Sequence, residues 1–168
     1  MRWLRFLIGL LIALTLHSLL GSFFPNALAF FNPYIVLVVY YSMGGNLFGA
    51  IVAGVIAGLV QDSFSGSLFG LHAFALTFCG YLVAYINSRL VLRGPLAFGL
   101  SLVGSVILHE IVIFILVNIL QNRKIDLFEQ GMIVKTLITS TFGVLIYLLL
   151  SLFLREEPLE ATKRPTSW

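Results

Sequence analysis

Glu110 is the residue with the most chemistry to offer, because it is the only formal charge between Arg93 and Arg123. If that run crosses a membrane, an ionised carboxylate in it costs at least about 2.5–3.5 kcal/mol on insertion scales. Glu110 is therefore expected to be protonated or hydrogen-bonded inside a helix bundle. Thr136, Ser140, Gly143 and Tyr147, spaced along one helical face, are its expected partners. Intramembrane carboxylates often serve ion or proton relays; a relay needs a second acidic or basic member, and none is evident in sequence. His109 precedes Glu110, so on a helix it points about 100° away, in line with Ser101 and Ser105 as a polar seam. Position 113 is Ile, which excludes the two-histidine zinc helix H-E-x-x-H. His17 and His72 stand alone and read as bundle-facing hydrogen-bonding groups. No catalytic residue, metal site or cofactor site is expected. Gly66-Ser67 is not followed by glycine, as an intramembrane serine protease would require, and there is no phosphate-binding or dinucleotide loop.

The elements that must carry these residues are set by composition. Apolar residues make up 60% of the 168, and charged residues only 10%, against roughly 25% in soluble domains. No Asp, Glu, Lys or Arg occurs from Phe6 to Gln61, from Ser63 to Ser88 or from Thr136 to Leu154. A membrane helix needs about 20 such residues. The expected fold is an all-α membrane protein, with a polytopic domain over 1–154 and a cytoplasmic tail over 155–168. Spans are expected at about 6–24, 30–43, 46–61, 67–88, 96–121 and 133–154. The first run is too long for the apolar core of a secretory signal, so it reads as a retained span. Ser42-Met43-Gly44-Gly45-Asn46 divides the long apolar stretch before Gln61 into two helices.

Positive charge is retained on the inner side of membranes, which decides between five spans and six. Six spans with both termini inside put Arg2, Arg5, Arg89, Arg93, Arg155, Lys163 and Arg164 inside. Arg123, Lys124 and Lys135 then lie outside, a split of seven to three. Five spans give five to five. Basic residues at span ends without a basic patch also exclude a nucleic-acid partner. Cys79 is the single cysteine, so no disulfide framework is possible within the chain.

Small residues mark where spans touch, because close backbone approach drives association in lipid. Asn46, Ala50, Ala53, Gly54, Ala57, Gly58 and Gln61 form one face of the third span. Gly66, Gly70, Ala73, Thr77, Gly80, Ala84 and Asn87 form a seam on the fourth. The two are expected to make a tight hairpin joined through residues 61–65. There Asp62 is expected to cap the fourth helix against its positive dipole end, with Ser65 assisting. A binding role for Asp62 is the alternative.

The block from Ala53 to Ala73 resembles the MreD family of rod shape-determining proteins. The family core Gly-Leu-x-x-Asp-x-x-x-Gly-x-x-x-Gly corresponds to Gly58, Leu59, Asp62, Gly66 and Gly70. Gly80-Tyr81-Leu82 and Pro33 also match its pattern. The resemblance implies about six spans and a fold similar to the substrate-binding subunits of energy-coupling-factor vitamin transporters. It further implies a non-enzymatic scaffold of the cell-elongation complex in the bacterial cytoplasmic membrane. Such a subunit pairs with MreC, a single-span protein, and links the filament protein MreB to the peptidoglycan polymerase and transpeptidase. The alternative is a vitamin-type binding subunit of a transporter. Interaction or packing roles are expected for Gly54, Gly58, Asp62, Gly66, Gly70, Gly80, His109 and Glu110.

Overall fold

A computed structural model describes residues 2–23, 31–44, 46–65, 68–90, 94–121 and 132–153. Its elements are α1 (Arg2–Phe23), α2 (Pro33–Ser42), α3 (Leu47–Ser65), α4 (Leu71–Leu90), α5 (Pro95–Gln121) and α6 (Met132–Phe153). Among the described residues all regular structure is helical, and four helices, α1, α3, α4 and α5, are long and apolar enough to cross a membrane. Lipid leaves no partner for an open backbone, so long apolar runs of this kind close their hydrogen bonds within a helix.

The helix ends follow from local chemistry. Asn32 caps α2, its Oδ1 accepting from the backbone N–H of Tyr34 and Ile35, with Pro33 at the first helical position. Asn46 caps α3 in the same way through Gly49 N–H. Gly70 and Gly94, both at φ +96°, supply the positive-φ residue that turns the chain into α4 and α5.

The hub of the bundle is the shortest of the described helices. α2 packs against α1, α3, α4, α5 and α6, and Tyr34, Ile35, Val38 and Val39 are buried to 1% exposure or less. Ten residues make a helix of about 15 Å, half of a roughly 30 Å hydrocarbon core. That length suffices because α2 is surrounded by protein and both its ends meet side chains. Asn32 Nδ2 donates to Gln61 Oε1 at one end, and Asn87 Nδ2 donates to the carbonyl of Met43 at the other. α1 is peripheral: it packs on α2 and α3 through Phe6 and Ala13, and turns Leu4, Leu7, Ile8, Leu11 and Ile12 outward.

α3 and α4 form the most extensive helix pair, with backbones almost touching. A Cβ on Gly54 would stand 2.5 Å from Thr77 Cα. One on Gly58 would meet Ala73 N at 2.5 Å, with Ala73 Cα nearer still. Gly80 lets α4 approach both α3 and α2, since a Cβ there would lie 3.0 Å from Ala50 O and from Val38 Cγ1. α6 closes on α5 by a stack of Phe98 on Tyr147, ring centroids 4.7 Å apart, and by Gly143 against Leu102 and Val36.

Two boundaries differ from expectation, with consequences for the site. α3 continues to Ser65, so Gln61 and Asp62 lie on its last turns and not in the connection. α4 begins at Leu71, so Gly70 is a turn residue with open space around its Cβ position, not a packing seam. Gly66 and the 155–168 tail lie outside the described residues.

Candidate functional site

Most of the buried polar side chains lie toward the end where α2, α4 and α6 begin and α1 and α3 finish. Asp62 is the best-satisfied of them. Its side chain is fully buried, and one oxygen, Oδ2, accepts from Gly70 N–H at 2.9 Å and Ala73 N–H at 3.1 Å. The other, Oδ1, accepts from His72 N–H and His72 Nδ1, both at 2.9 Å. A carboxylate that receives the first free N–H groups of a helix satisfies orphan donors and complements the helix dipole. Here the capping carboxylate comes from the preceding helix, so the bond also fastens α3 to α4. Ser65 Oγ donates to the carbonyl of Asp62 at 3.2 Å. His72, expected to stand alone, is thus a ligand of this carboxylate.

Glu110 corrects the sequence reading in two respects. Its partners include Lys135, whose Nζ lies 2.7 Å from Oε1, and His109, whose Nδ1 lies 3.2 Å from the same oxygen, while Ser140 Oγ has no hydrogen-bond partner among the described residues. Lys135 sits in the first turns of α6 and reaches inward to α5, so the carboxylate meets a cation where neutral hydroxyls were expected. His109 does leave the helix in a different direction from Glu110, but the glutamate side chain is long enough to fold back to its ring. Ser105, on the same face as His109, accepts at its backbone carbonyl from Cys79 Sγ at 3.4 Å.

The two carboxylate clusters meet. The His72 and His109 rings lie with centroids 5.6 Å apart. Asp62, His72, His109, Glu110 and Lys135 therefore form a continuous polar line across α3, α4, α5 and α6. Each imidazole has its Nδ1 against a carboxylate, which fixes the tautomer and ring direction. His109 Nε2 is buried with no hydrogen-bond partner among the described residues. No group of three His, Cys, Asp or Glu among those residues has metal-binding geometry.

Beside this line lies a cavity of about 300 Å³, whose polar walls are His17, Asn32, Gln61, Ser65, His72 and Lys135. Phe31, Pro33 and Phe64 supply the apolar part. His17 lies between Tyr34 and Phe64 with its ring tilted to both, at centroid distances of 5.4 and 5.7 Å. Five helices contribute to this wall, α5 being the exception.

Of the residues singled out from sequence, Asp62 and Gly70 bond to each other, and His109 pairs with Glu110. Gly54, Gly58 and Gly80 stand apart, along the helix contacts. Sequence reasoning missed Asn32, Gln61, His17 and Lys135 as members of one cluster. A signal existed for Lys135, the only charge of the last apolar run, placed at its start. No such signal joined Asn32 to Gln61, because their pairing depends on how α2 seats in the bundle.

No curated protein and no solved structure matches the chain. The family model for the rod shape-determining protein MreD matches residues 1–157. That span includes the six described helices, the capped α3–α4 hairpin and the polar line, and on it the chain belongs to the MreD family of rod shape-determining membrane proteins.

Proposed function

We propose that the chain is a non-enzymatic scaffold subunit of the bacterial cell-elongation complex. In this reading it forms one polytopic domain over 1–154 in the cytoplasmic membrane, with both termini and the 155–168 tail in the cytoplasm. It pairs with an MreC-like single-span protein and connects MreB filaments to the peptidoglycan polymerase and transpeptidase. The observation that carries the reading is how the two carboxylates within the helix bundle are used. Asp62 spends both oxygens on α4, and Glu110 ties α5 to α6 through Lys135. Groups committed in this way rigidify a bundle, and a rigid bundle with apolar outer faces is a seat for partner helices. Purification of the tagged chain in mild detergent tests the proposal. An MreC-like protein should co-purify in constant ratio, and its consistent absence, with the chain itself intact, would remove the scaffold reading.

A second reading, a small-molecule-binding subunit of a transporter, is favoured by one observation, the 300 Å³ cavity with polar walls. It requires uptake of a solute that stops when the chain is depleted. Unchanged uptake across vitamins and other small solutes would remove it.

A further inference from the structure

We infer that the cavity beside the polar line is a binding site for a phosphate-bearing group. This goes beyond the scaffold reading and does not rest on it. Each acceptor group named here already receives at least one donor. Asn32 Oδ1 takes the N–H groups of Tyr34 and Ile35, and Gln61 Oε1 takes Asn32 Nδ2. Asp62 is filled by four donors, and Glu110 Oε1 by His109 and Lys135. The donors are not exhausted. An amide nitrogen has two hydrogens and an ammonium three, so among the described residues Asn32 keeps one N–H, Gln61 two and Lys135 two for whatever occupies the space.

Two histidines complete the wall. His72 is oriented through Nδ1 by Asp62, which leaves Nε2 able to accept the O–H of a monoprotonated phosphate or to take a proton opposite a fully ionised one. His17 adds a ring nitrogen from α1. These groups come from α1, α2, α3, α4 and α6, more directions than the two oxygens of a carboxylate can answer, whereas a phosphate has oxygens enough. Of the two native carboxylates, Glu110 is ion-paired with Lys135, and the Asp62 oxygens are occupied by four nitrogen donors. At roughly 30 Å³ per water the space equals about ten waters, room for a phosphate with a short substituent. A polar cavity is otherwise filled by water.

The test uses the full chain purified in detergent and stripped of lipid, with thermal unfolding followed against three probes. The probes are inorganic phosphate, dioctanoyl phosphatidic acid and dioctanoyl phosphatidylglycerol, with sodium chloride matched for ionic strength. A saturable rise in the unfolding temperature with phosphate supports the site and identifies a free anion as a sufficient ligand. A rise confined to the short-chain lipids supports it with a headgroup as source. Gln61→Glu keeps an acceptor for Asn32 but replaces two donors by a charge. It should weaken binding roughly tenfold or more, as loss of a hydrogen bond to a charged group does. His17→Phe, which retains the ring contacts to Tyr34 and Phe64, should weaken binding while leaving the unliganded unfolding temperature near wild type, and it decides the matter if Gln61→Glu does not fold. No saturable response to any probe, or affinities in a folded variant equal to wild type, would overturn the inference.

Discussion

Asp62 shows how one side chain can fix a helix hairpin. It accepts four hydrogen bonds from the start of α4 while sitting on the last turn of α3. Asp62→Asn preserves shape but turns an NH₂ group toward backbone N–H donors, so it should lower stability by roughly 1–3 kcal/mol, the cost of unsatisfied buried groups. Thermal unfolding in detergent measures this, and an unchanged midpoint would remove the cap from the account. Glu110 and Lys135 behave as a unit of a different kind. Removing one leaves an uncompensated charge, which costs roughly 3–5 kcal/mol for a fully buried pair. With 21% of each side chain accessible, about 2 kcal/mol is the better expectation. Glu110→Gln and Lys135→Met should each destabilise more than the double variant does; additive losses would mean that the pair does not couple. The dipole argument made the capping role of Asp62 legible in sequence. The partner of Glu110 was not, because Lys135 reads as an interfacial charge until the tilt of α6 against α5 is known.

Among the elements, α3 and α4 carry the clearest sequence signal and α2 the weakest. Gly54 and Gly58 recur at helical spacing on the small-residue face, and that face is the one against Thr77 and Ala73. Even Gly58→Ala would push a Cβ into backbone, which cannot rotate away, so a loss of about 1–3 kcal/mol is expected. Val55, on the 38% exposed outer face, should tolerate leucine within about 0.5 kcal/mol. Equal effects at the two positions, measured by unfolding in detergent, would reverse the assignment of faces. Gly70 is governed by φ and not by space. Gly70→Ala should cost about 1–2 kcal/mol, and Gly70→Asn distinctly less, since asparagine tolerates positive φ better. α2 is apolar on every side, a pattern that indicates a buried helix but not its neighbours. Its central position follows from contacts with five other helices, and these are long-range facts that no local spacing records.

For the molecule as a whole, length and hydropathy were enough to establish the all-α membrane class, while the cavity was invisible. It is assembled from five helices, each contributing one or two polar residues that look incidental along the chain. Charge asymmetry leads to the proposed orientation, with the cavity end facing away from the cytoplasm. Reporter fusions after Leu92 and after Arg164 should read cytoplasmic, and a fusion after Arg123 extracytoplasmic. A cytoplasmic signal at Arg123 would invert this arrangement and restore five spans.

The central claim is that this bundle maintains rod shape as a structural part, and cell width in a depletion strain measures that most directly. As the chain is diluted out, cells should widen and round. Re-expression of wild type and of the ion-pair double variant Glu110→Gln/Lys135→Met should restore the rod, because in the scaffold reading the pair holds α5 to α6 and carries out no reaction. Unchanged width on depletion would contradict the family-level function. Rounding that wild type rescues, but a stably inserted double variant does not, would contradict the scaffold account and make the pair a working site.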